Sequence, residues 1–374
     1  MMPPVADGTV LSARALNRAL LARQHLLSRT GGSVLDLVEH LVGLQAQEPQ
    51  EPYVGVWSRL DDFVPADLAD LLEQRTAVRV LLMRRTLHLV SARDCLALRR
   101  LHDPMLVARM RGTLGRRLPD VDEAALAAAA EPLFAAAPRT LTEVARAVGH
   151  RWPQAAFRDL GDALSTLLPL VQVPPRGMWR QTAPAKNTTI AAWLGAEPAE
   201  HTPDVAEALV LRYLAAFGPA ATADVRAWSG LTGLPAVVAR LRPQLRTFRD
   251  ERGRTLLDLP DAPLPDPDTP APARFLPTFD NAVLGFDDRS RIVDDADRGL
   301  SVQGARFLLV DGRVAGTWTI TRAGDTPHVV VAPHRRLTAA ERDDVMEEGA
   351  RLAVFLFDGD PASEVRLDDP VGDG

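Results

Sequence analysis

The chain has 374 residues, a formal net charge of −6 and an apolar fraction of 46%, which is typical of a globular protein with about two to four domains. Cys95 is the only cysteine, which excludes an internal disulfide and a multi-cysteine metal site, and the histidines lack metal-ligand spacing. Residues 1–10 lack the pattern of a signal peptide and no apolar run is long enough to cross a membrane. The sequence therefore predicts a cytoplasmic protein without metal or cofactor.

The charge is unevenly distributed along the chain. Residues 75–120 hold eleven arginines against three acidic residues, whereas residues 341–374 hold eleven acidic residues against three arginines. A local basic stripe suits a phosphate-binding surface whatever the total charge. The alternative is a solvated helix face whose arginines are paired with acids.

The first ninety residues predict three helices and a hairpin. Residues 11–29 and 33–46 have apolar positions at helical spacing, and Ser12 and Ser33 are suited to cap them. A proline-containing loop follows, then a helix at 66–75. Residues 78–83 and 86–90 are typical of two strands joined at Arg84-Arg85. Three helices followed by a hairpin indicate a winged helix-turn-helix.

The same pattern recurs twice, which predicts an internal repeat of whole domains. Its helices are expected at 122–136, 141–149, 158–168, 204–217, 222–230 and 234–242, and its strands at 170–173, 178–182, 245–249 and 255–259. The sequence thus predicts winged-helix domains at 1–120, 121–200 and 201–260.

The remaining segment, 261–374, is rich in strands. After a proline-rich linker at 260–272, strands are expected at 275–277, 305–310, 313–320 and 328–331, with Asp311-Gly312 as a hairpin turn. Thr338 and Glu341 form a capping box for a helix that reaches Phe357. The predicted fold is mainly α with β wings: three tandem winged helices, closed by a C-terminal α+β or barrel-like element.

Two glutamines stand where the helix at 33–46 is expected to end. Gln45 and Gln47 precede Pro49, which disfavours helical angles at Glu48. Residues two apart share a side in extended backbone but not in a helix. The two side-chain amides can therefore converge on one point beside the helix exit.

Several segments across nearly the whole chain resemble one family, the bacterial winged-helix DNA glycosylases typified by AlkZ and YcaQ (AlkX). The similar segments are 43–47, 53–60, 83–90, 216–219, 274–280 and 311–318. The resemblance implies three tandem winged helices in a C shape around a concave DNA-binding surface. It also implies that Gln45 and Gln47 are catalytic, since the AlkZ branch carries Gln-apolar-Gln where the YcaQ branch carries Gln-apolar-Asp. Members of the AlkZ branch excise bulky adducts and unhook crosslinks made by genotoxic natural products.

The chemistry of glutamine restricts the reactions that these two residues can support. A neutral amide is not a strong base, so it suits a leaving group that needs no protonation, such as an N7- or N3-alkylated purine. Such an enzyme must orient a water molecule and stabilise an oxocarbenium-like sugar. Strand cleavage usually needs an amine for a Schiff base, and Lys186, the only lysine, and the N-terminus are the only candidates. This scarcity favours a monofunctional glycosylase.

Five further residues are predicted to contact DNA. Arg84 and Arg85 lie at a wing tip, where they can bind phosphates or enter the minor groove. His88 alternates with two leucines and is expected to point away from the core. Arg289 and Arg291 belong to a stretch that resembles the family and are expected at the DNA backbone.

Two classes of function remain open on the sequence alone. The first is a monomeric glycosylase that acts on alkylated purines in double-stranded DNA at the nucleoid, in base excision repair or antibiotic self-resistance. The second is a non-catalytic winged-helix binder, either a regulator or a protein that sequesters damage. A fold does not by itself separate them, although the predicted helix at 234–242 shows no obvious set of base-reading side chains.

Overall fold

The computed structural model describes residues 8–324 and 326–370. Helices run through most of this range: α1 (Ala13–Arg23), α2 (Val34–His40), α3 (Glu51–Trp57), α4 (Pro65–Glu73), α5 (Ala92–Leu114), α6 (Glu123–Ala136), α7 (Leu141–Val148), α8 (Phe157–Leu167), α9 (Ile190–Leu194), α10 (Pro203–Phe217), α11 (Thr222–Ser229), α12 (Leu234–Leu241), α13 (Asn281–Leu284), α14 (Arg298–Gln303) and α15 (Ala339–Phe357). None of the helices within the described ranges is long and apolar enough to cross a membrane. The signal-peptide prediction concerns residues 1–10, of which residues 1–7 lie outside the described part.

Helix starts follow the capping residues that the sequence indicates. The Ser12 hydroxyl accepts from the Ala15 amide at the start of α1, and the Ser33 hydroxyl accepts from the Asp36 amide at the start of α2. At α15 the capping box of Thr338 and Glu341 is formed in both directions. These bonds satisfy backbone donors that have no partner in the first turn of a helix.

A six-stranded sheet joins the first two predicted units. Its strands are β2 (Leu44–Gln45), β3 (Ala77–Leu81), β4 (Leu87–Ser91), β5 (Arg139–Thr140), β6 (Leu170–Gln172) and β7 (Lys186–Thr189), in the order β2-β4-β3-β6-β7-β5. The link between the units is the antiparallel pairing of β3 with β6, in which Val80 lies opposite Val171. Strand β4 therefore lies inside the sheet, with neighbours on both sides.

Two smaller sheets complete the mixed α and β architecture. Strand β1 (Val10–Leu11) pairs in parallel with the hairpin of β8 (Arg246–Asp250) and β9 (Thr255–Asp258). The C-terminal sheet has the order β10-β11-β12-β13-β14, formed by Arg274–Phe275, Arg306–Val310, Arg313–Ala323, Thr326–Pro333 and Glu364–Leu367. The predicted hairpin at Asp311-Gly312 is confirmed, whereas β14, which runs parallel to β13, has no counterpart in the prediction.

Several predicted elements are wrong, among them the first helix, which ends at Arg23 and not at residue 29. Helix α2 ends at His40 rather than near residue 46, and residues 51–57 form α3 where a loop was expected. The expected strand at 178–182 is a series of turns, because Gly177 and Arg180 adopt φ angles of 94° and 55°. The partner of β6 comes later in the chain, at β7.

The hydrophobic core connects distant parts of the chain. One buried cluster brings together Val80 of β3, Trp228 of α11 and Phe286, which follows α13. A second packs helices α2, α3 and α4 against the C-terminal sheet, with Trp57 and Trp318 among its members. Leu44 and Ala46 belong to the second cluster, so the segment 44–47 packs in the same core as the C-terminal sheet.

Candidate active site

The two glutamines are placed by a sharp turn after α2. Val42 and Gly43 adopt φ angles of 55° and 95°, which reverse the chain into β2. A Cβ atom at Gly43 would lie 2.8 Å from the Leu89 carbonyl oxygen and 2.6 Å from a Val90 methyl carbon. Only glycine fits so close to β4 with this backbone angle. The glutamine segment therefore lies directly against β4.

The backbone is extended at Leu44 and Gln45, which form β2. Gln45 is opposite His88 in the β2–β4 pairing, and the Ala46 amide continues it by donating to the Leu87 carbonyl at 2.7 Å. Ala46 is fully buried, Gln45 is half-buried and Gln47 is exposed. Strand β2 ends at Gln45 and the backbone bends at Gln47, so the common side that alternation along an extended strand would give the two glutamines stays a prediction.

The Gln45 side chain is held by an arginine from the turn between β3 and β4. Nη2 of Arg84 donates to Gln45 Oε1 at 2.6 Å and to Asn281 Oδ1 at 2.9 Å. Nη1 of Arg84 donates to the Trp228 carbonyl oxygen at 3.2 Å. The guanidinium thus links the glutamine to two distant segments, around residues 228 and 281.

Gln47 has a looser environment. Its Oε1 accepts from the Leu87 amide at 3.4 Å, which is at the long end for a hydrogen bond. The side chain is exposed. Its amide is consequently free to turn toward a bound molecule.

A buried arginine supports the backbone between the two glutamines. Nη2 of Arg79 donates to the Ala46 carbonyl oxygen at 2.7 Å, while its Nε and Nη1 have no hydrogen-bond partner among the residues that the structure describes. Arg79 is 2% exposed and packs against Gly177, where a Cβ atom would approach its side chain to 2.9 Å. Burial, and then the charge of Arg176, lowers the pKa of Arg79 to about 10. It therefore remains a cation at neutral pH.

The ionisable groups beside Gln45 do not titrate near neutrality. Burial is the main cause that lowers the pKa of Arg84 to about 10, followed by the charges of Arg289 and Arg109. Burial also lowers the pKa of His88 to about 3, with Arg84 contributing. Within the described residues, no Asp or Glu side chain hydrogen-bonds either glutamine. Near pH 7 the site presents neutral amides and a fixed cation rather than an acid or base.

Comparison with known proteins identifies the family of this site. The family described as DNA glycosylase AlkZ-like matches residues 38–355, which include both glutamines. The chain belongs to the AlkZ-like DNA glycosylase family. It is accordingly a DNA glycosylase, an enzyme that hydrolyses N-glycosyl bonds in DNA.

A solved structure agrees with this assignment at the level of the fold. The DNA glycosylase AlkZ of Streptomyces sahachiroi superposes with a TM-score of 0.72 at 20% sequence identity, over 96% of this chain and 100% of that one. At this identity the likeness concerns the fold alone. No curated protein sequence matches the chain.

Two of the residues predicted to contact DNA are buried in this AlkZ-like chain, contrary to their expected exposure. His88 is inaccessible to solvent and its Nδ1 contacts the Thr86 carbonyl oxygen. Arg291 is 2% exposed, donates to the Pro219 carbonyl oxygen and stacks on Phe286 at 4.2 Å. Neither reaches a surface that DNA can touch.

The other predicted contacts are partly accessible. Arg85 is half-buried and pairs with Asp162 at 2.9 Å, across the boundary between the first two predicted units. Arg289 is half-buried, and its Nη1 donates to the Ser301 hydroxyl at 2.7 Å. Arg84 is half-buried and directed at Gln45 rather than at solvent. Of the five, Arg289 retains a cation near the surface without a hydrogen-bonded carboxylate.

Five of the eleven arginines of the basic stripe lie on α5, and several arginines on or just after this helix are paired with acids. Arg93 pairs with Glu39, Arg99 with Asp103, Arg111 with Glu123 and Arg117 with Asp159. Such pairs reduce the charge available for phosphate. The structure therefore favours a salt-bridged helix face over a continuous phosphate-binding stripe.

Three residues that build this AlkZ-like site were not singled out from the sequence. Arg79 and Arg109 lie within the basic stripe, but nothing in its pattern separates them from the paired arginines. Asn281 follows the family-like segment 274–280 by one position. That adjacency was the one available signal, and the contact with Arg84 depends on tertiary structure.

Proposed function

We propose that this enzyme is a monofunctional DNA glycosylase that hydrolyses the N-glycosidic bond of cationic, N7- or N3-alkylated purines in double-stranded DNA. The observation that carries the proposal is that, in the described residues, no Asp, Glu or His side chain hydrogen-bonds the Gln45 or Gln47 side chain. An alkylated purine already carries the positive charge that protonation would otherwise supply. It can leave without an acid.

The proposed step is balanced by water and the leaving base. The bond between the purine nitrogen and C1′ breaks, and its electron pair neutralises the alkylated ring. Positive charge develops on the sugar, and preorganised dipoles aimed at such charge lower the barrier. Water adds to C1′ and releases a proton to solvent, so that the products are a neutral alkylpurine and an abasic site.

The proposed arrangement of the chain is three tandem winged helices, at 1–120, 121–200 and 201–260, around a concave DNA-binding surface. The similarity to the AlkZ fold supports it. We place Arg289 at the DNA backbone, since its guanidinium lies near Arg84 and lacks a hydrogen-bonded carboxylate. The site opens at the exposed Gln47, which is compatible with bulky adducts or crosslinks from genotoxic natural products and hence with self-resistance. The enzyme is proposed to act as a monomer.

The test is base release from a duplex that carries a single N7-methylguanine, with abasic sites revealed by alkali. Gln45→Ala and Gln47→Ala are each expected to slow release about 100- to 1000-fold, the range found for loss of one preorganised polar group. Their affinity for the duplex should be unchanged. Gln154→Ala, at an exposed glutamine outside the site, serves as the matched control and should keep the wild-type rate.

A second duplex with a bulky N7 adduct extends the test to the size of the substrate. Release of the bulky base by the wild type supports the wider substrate range. Tight binding of both duplexes without release of either base would overturn the proposed reaction. It would favour a protein that sequesters damaged DNA.

A further inference from the structure

The orientation of the Gln45 amide follows from the chemistry of its partner. A guanidinium group has only donors, so the atom of Gln45 that lies 2.6 Å from Arg84 Nη2 must be the carbonyl oxygen. The amide nitrogen of Gln45 is then on the other branch of the side chain. It has no hydrogen-bond partner among the described residues.

We infer that Arg84 is a positioning residue that makes Gln45 a hydrogen-bond donor toward the DNA, while Gln47 serves as the acceptor. The inference rests on the proposed function. It assigns different hydrogen-bonding roles in that reaction to two residues of the same type. The Gln45 N–H donates to one lone pair of the attacking water. The Gln47 carbonyl oxygen accepts one of that water's hydrogens, which leaves the second lone pair for C1′.

Arg84 is held firmly enough for this role. Its side chain bonds the Asn281 amide oxygen and the Trp228 carbonyl, and these two residues are 7% and 0% exposed. Nη1 of Arg109 donates to the Arg84 carbonyl oxygen at 2.9 Å. The backbone of Arg84 adopts a φ of 57°, which an arginine rarely takes without support from its surroundings. Both ends of the residue are therefore fixed.

No carboxylate competes for the guanidinium. Each hydrogen bond that Arg84 makes within the described residues ends on a neutral oxygen. Among these acceptors, Gln45 has the shortest bond, and bonds from a charged donor are stronger than those between neutral groups. The Gln45 amide is thus restrained, whereas that of Gln47 has a single long contact at 3.4 Å.

The first experiment compares two isosteric variants, Gln45→Glu and Gln47→Glu, in single-turnover release of N7-methylguanine. A carboxylate has no N–H, so Gln45→Glu is expected to fall about 100-fold, as far as Gln45→Ala. Gln47→Glu keeps an acceptor and is therefore expected to lose at least about tenfold less activity than Gln45→Glu. Equal losses, or a larger loss in Gln47→Glu, would overturn the division of roles.

The second experiment is a double-mutant cycle between Arg84→Gln and Gln45→Ala. If Arg84 acts through Gln45, Arg84→Gln slows release by about tenfold in the wild type, with the dissociation constant for DNA unchanged. In the Gln45→Ala background it should then change the rate by less than about twofold. Arg84→Lys, which retains one charged donor, should recover part of the loss.

Asn281→Ala provides a milder perturbation should Arg84→Gln fail to fold. It removes one acceptor that holds Arg84 and should slow release less than Arg84→Gln, again without additivity with Gln45→Ala. Fully multiplicative losses would overturn the positioning role and indicate that Arg84 binds DNA directly. A wild type that releases no base refutes the proposed function itself, which is a separate outcome.

Discussion

Gln45 and Gln47 are the same residue type in different surroundings, and they differ in exposure and in the hydrogen bond that each side chain accepts. Gln45 is half-buried and bonded to a cation, whereas Gln47 is exposed and weakly bonded. Neither side chain titrates. The ionisable groups around them determine whether the site responds to pH.

The rate of base release is predicted to be independent of pH between about 5 and 9, as measured under single turnover. Arg84, with its pKa lowered to about 10, loses its proton only above this window, and His88, with a pKa of about 3, gains one only below it. The next groups also lie outside it, because burial lowers the pKa of His102 to about 4 and raises that of Tyr213.

The same pH–rate profile also tests the role of Arg84, at high pH. Above about pH 10, loss of the Arg84 charge would weaken its hydrogen bond to the Gln45 amide, and the rate should fall. The enzyme-free duplex, measured in parallel at each pH, corrects for spontaneous base loss. A decline below pH 6 instead would point to a carboxylate or histidine in the reaction and contradict the neutral-amide mechanism.

His88 shows where reasoning from single residues fails. The alternation Leu87-His88-Leu89 predicts an outward histidine, on the assumption that one face of the strand is solvated. Strand β4 lies inside a six-stranded sheet, and His88 is buried. A strand covered on both faces does not obey the alternation rule, and its cover comes from segments that the local pattern does not specify.

At the scale of elements, the starts of capped helices could be predicted from the sequence. Reversals of the chain at residues other than glycine could not. Ser12, Ser33 and Thr338 mark helix starts because each hydroxyl satisfies a backbone donor locally. By contrast, Val42 and Arg180 adopt left-handed angles that their residue types disfavour. Tertiary packing imposes these turns, so the end of α2 and the position of β7 were both mispredicted.

Arg79→Met is predicted to separate activity from stability at strand β3. The guanidinium is buried without a hydrogen-bonded carboxylate and leaves two nitrogen atoms without partners, so its desolvation is poorly compensated. Methionine of similar length should leave the free energy of unfolding within about 1 kcal/mol of the wild type, or raise it. Base release should fall about tenfold, because the Ala46 carbonyl loses the donor that holds the glutamine segment.

Urea unfolding and single-turnover release, measured on the same preparation, check this prediction. Arg116→Met, at an exposed position of the basic stripe, is the matched control and should change neither quantity. A loss of several kcal/mol in Arg79→Met with normal activity would show that Arg79 serves the fold and not the site.

At the scale of the whole molecule, the site is assembled from four separated segments. Residues 45, 84, 228 and 281 meet at the Arg84 guanidinium, and the clusters that hold them cross the predicted domain boundaries. The resemblance to the AlkZ branch predicts the two glutamines as site residues. It does not identify Asn281 or Trp228, since their contacts arise only when the third unit and the C-terminal segment pack on the first.

The same architecture predicts that the enzyme leaves the DNA strand intact. Lys186 lies on β7, four strands away from β2 in the six-stranded sheet, which at about 4.8 Å per strand is roughly 19 Å. Its amine is therefore too distant to form a Schiff base with the sugar whose base leaves beside Gln45. Borohydride added during the reaction should trap no covalent protein–DNA complex, and strand breaks should appear only after alkali. A glycosylase with a catalytic lysine serves as the positive control. A trapped complex in the wild type would contradict the prediction, and its loss in Lys186→Ala would identify the lysine as the nucleophile.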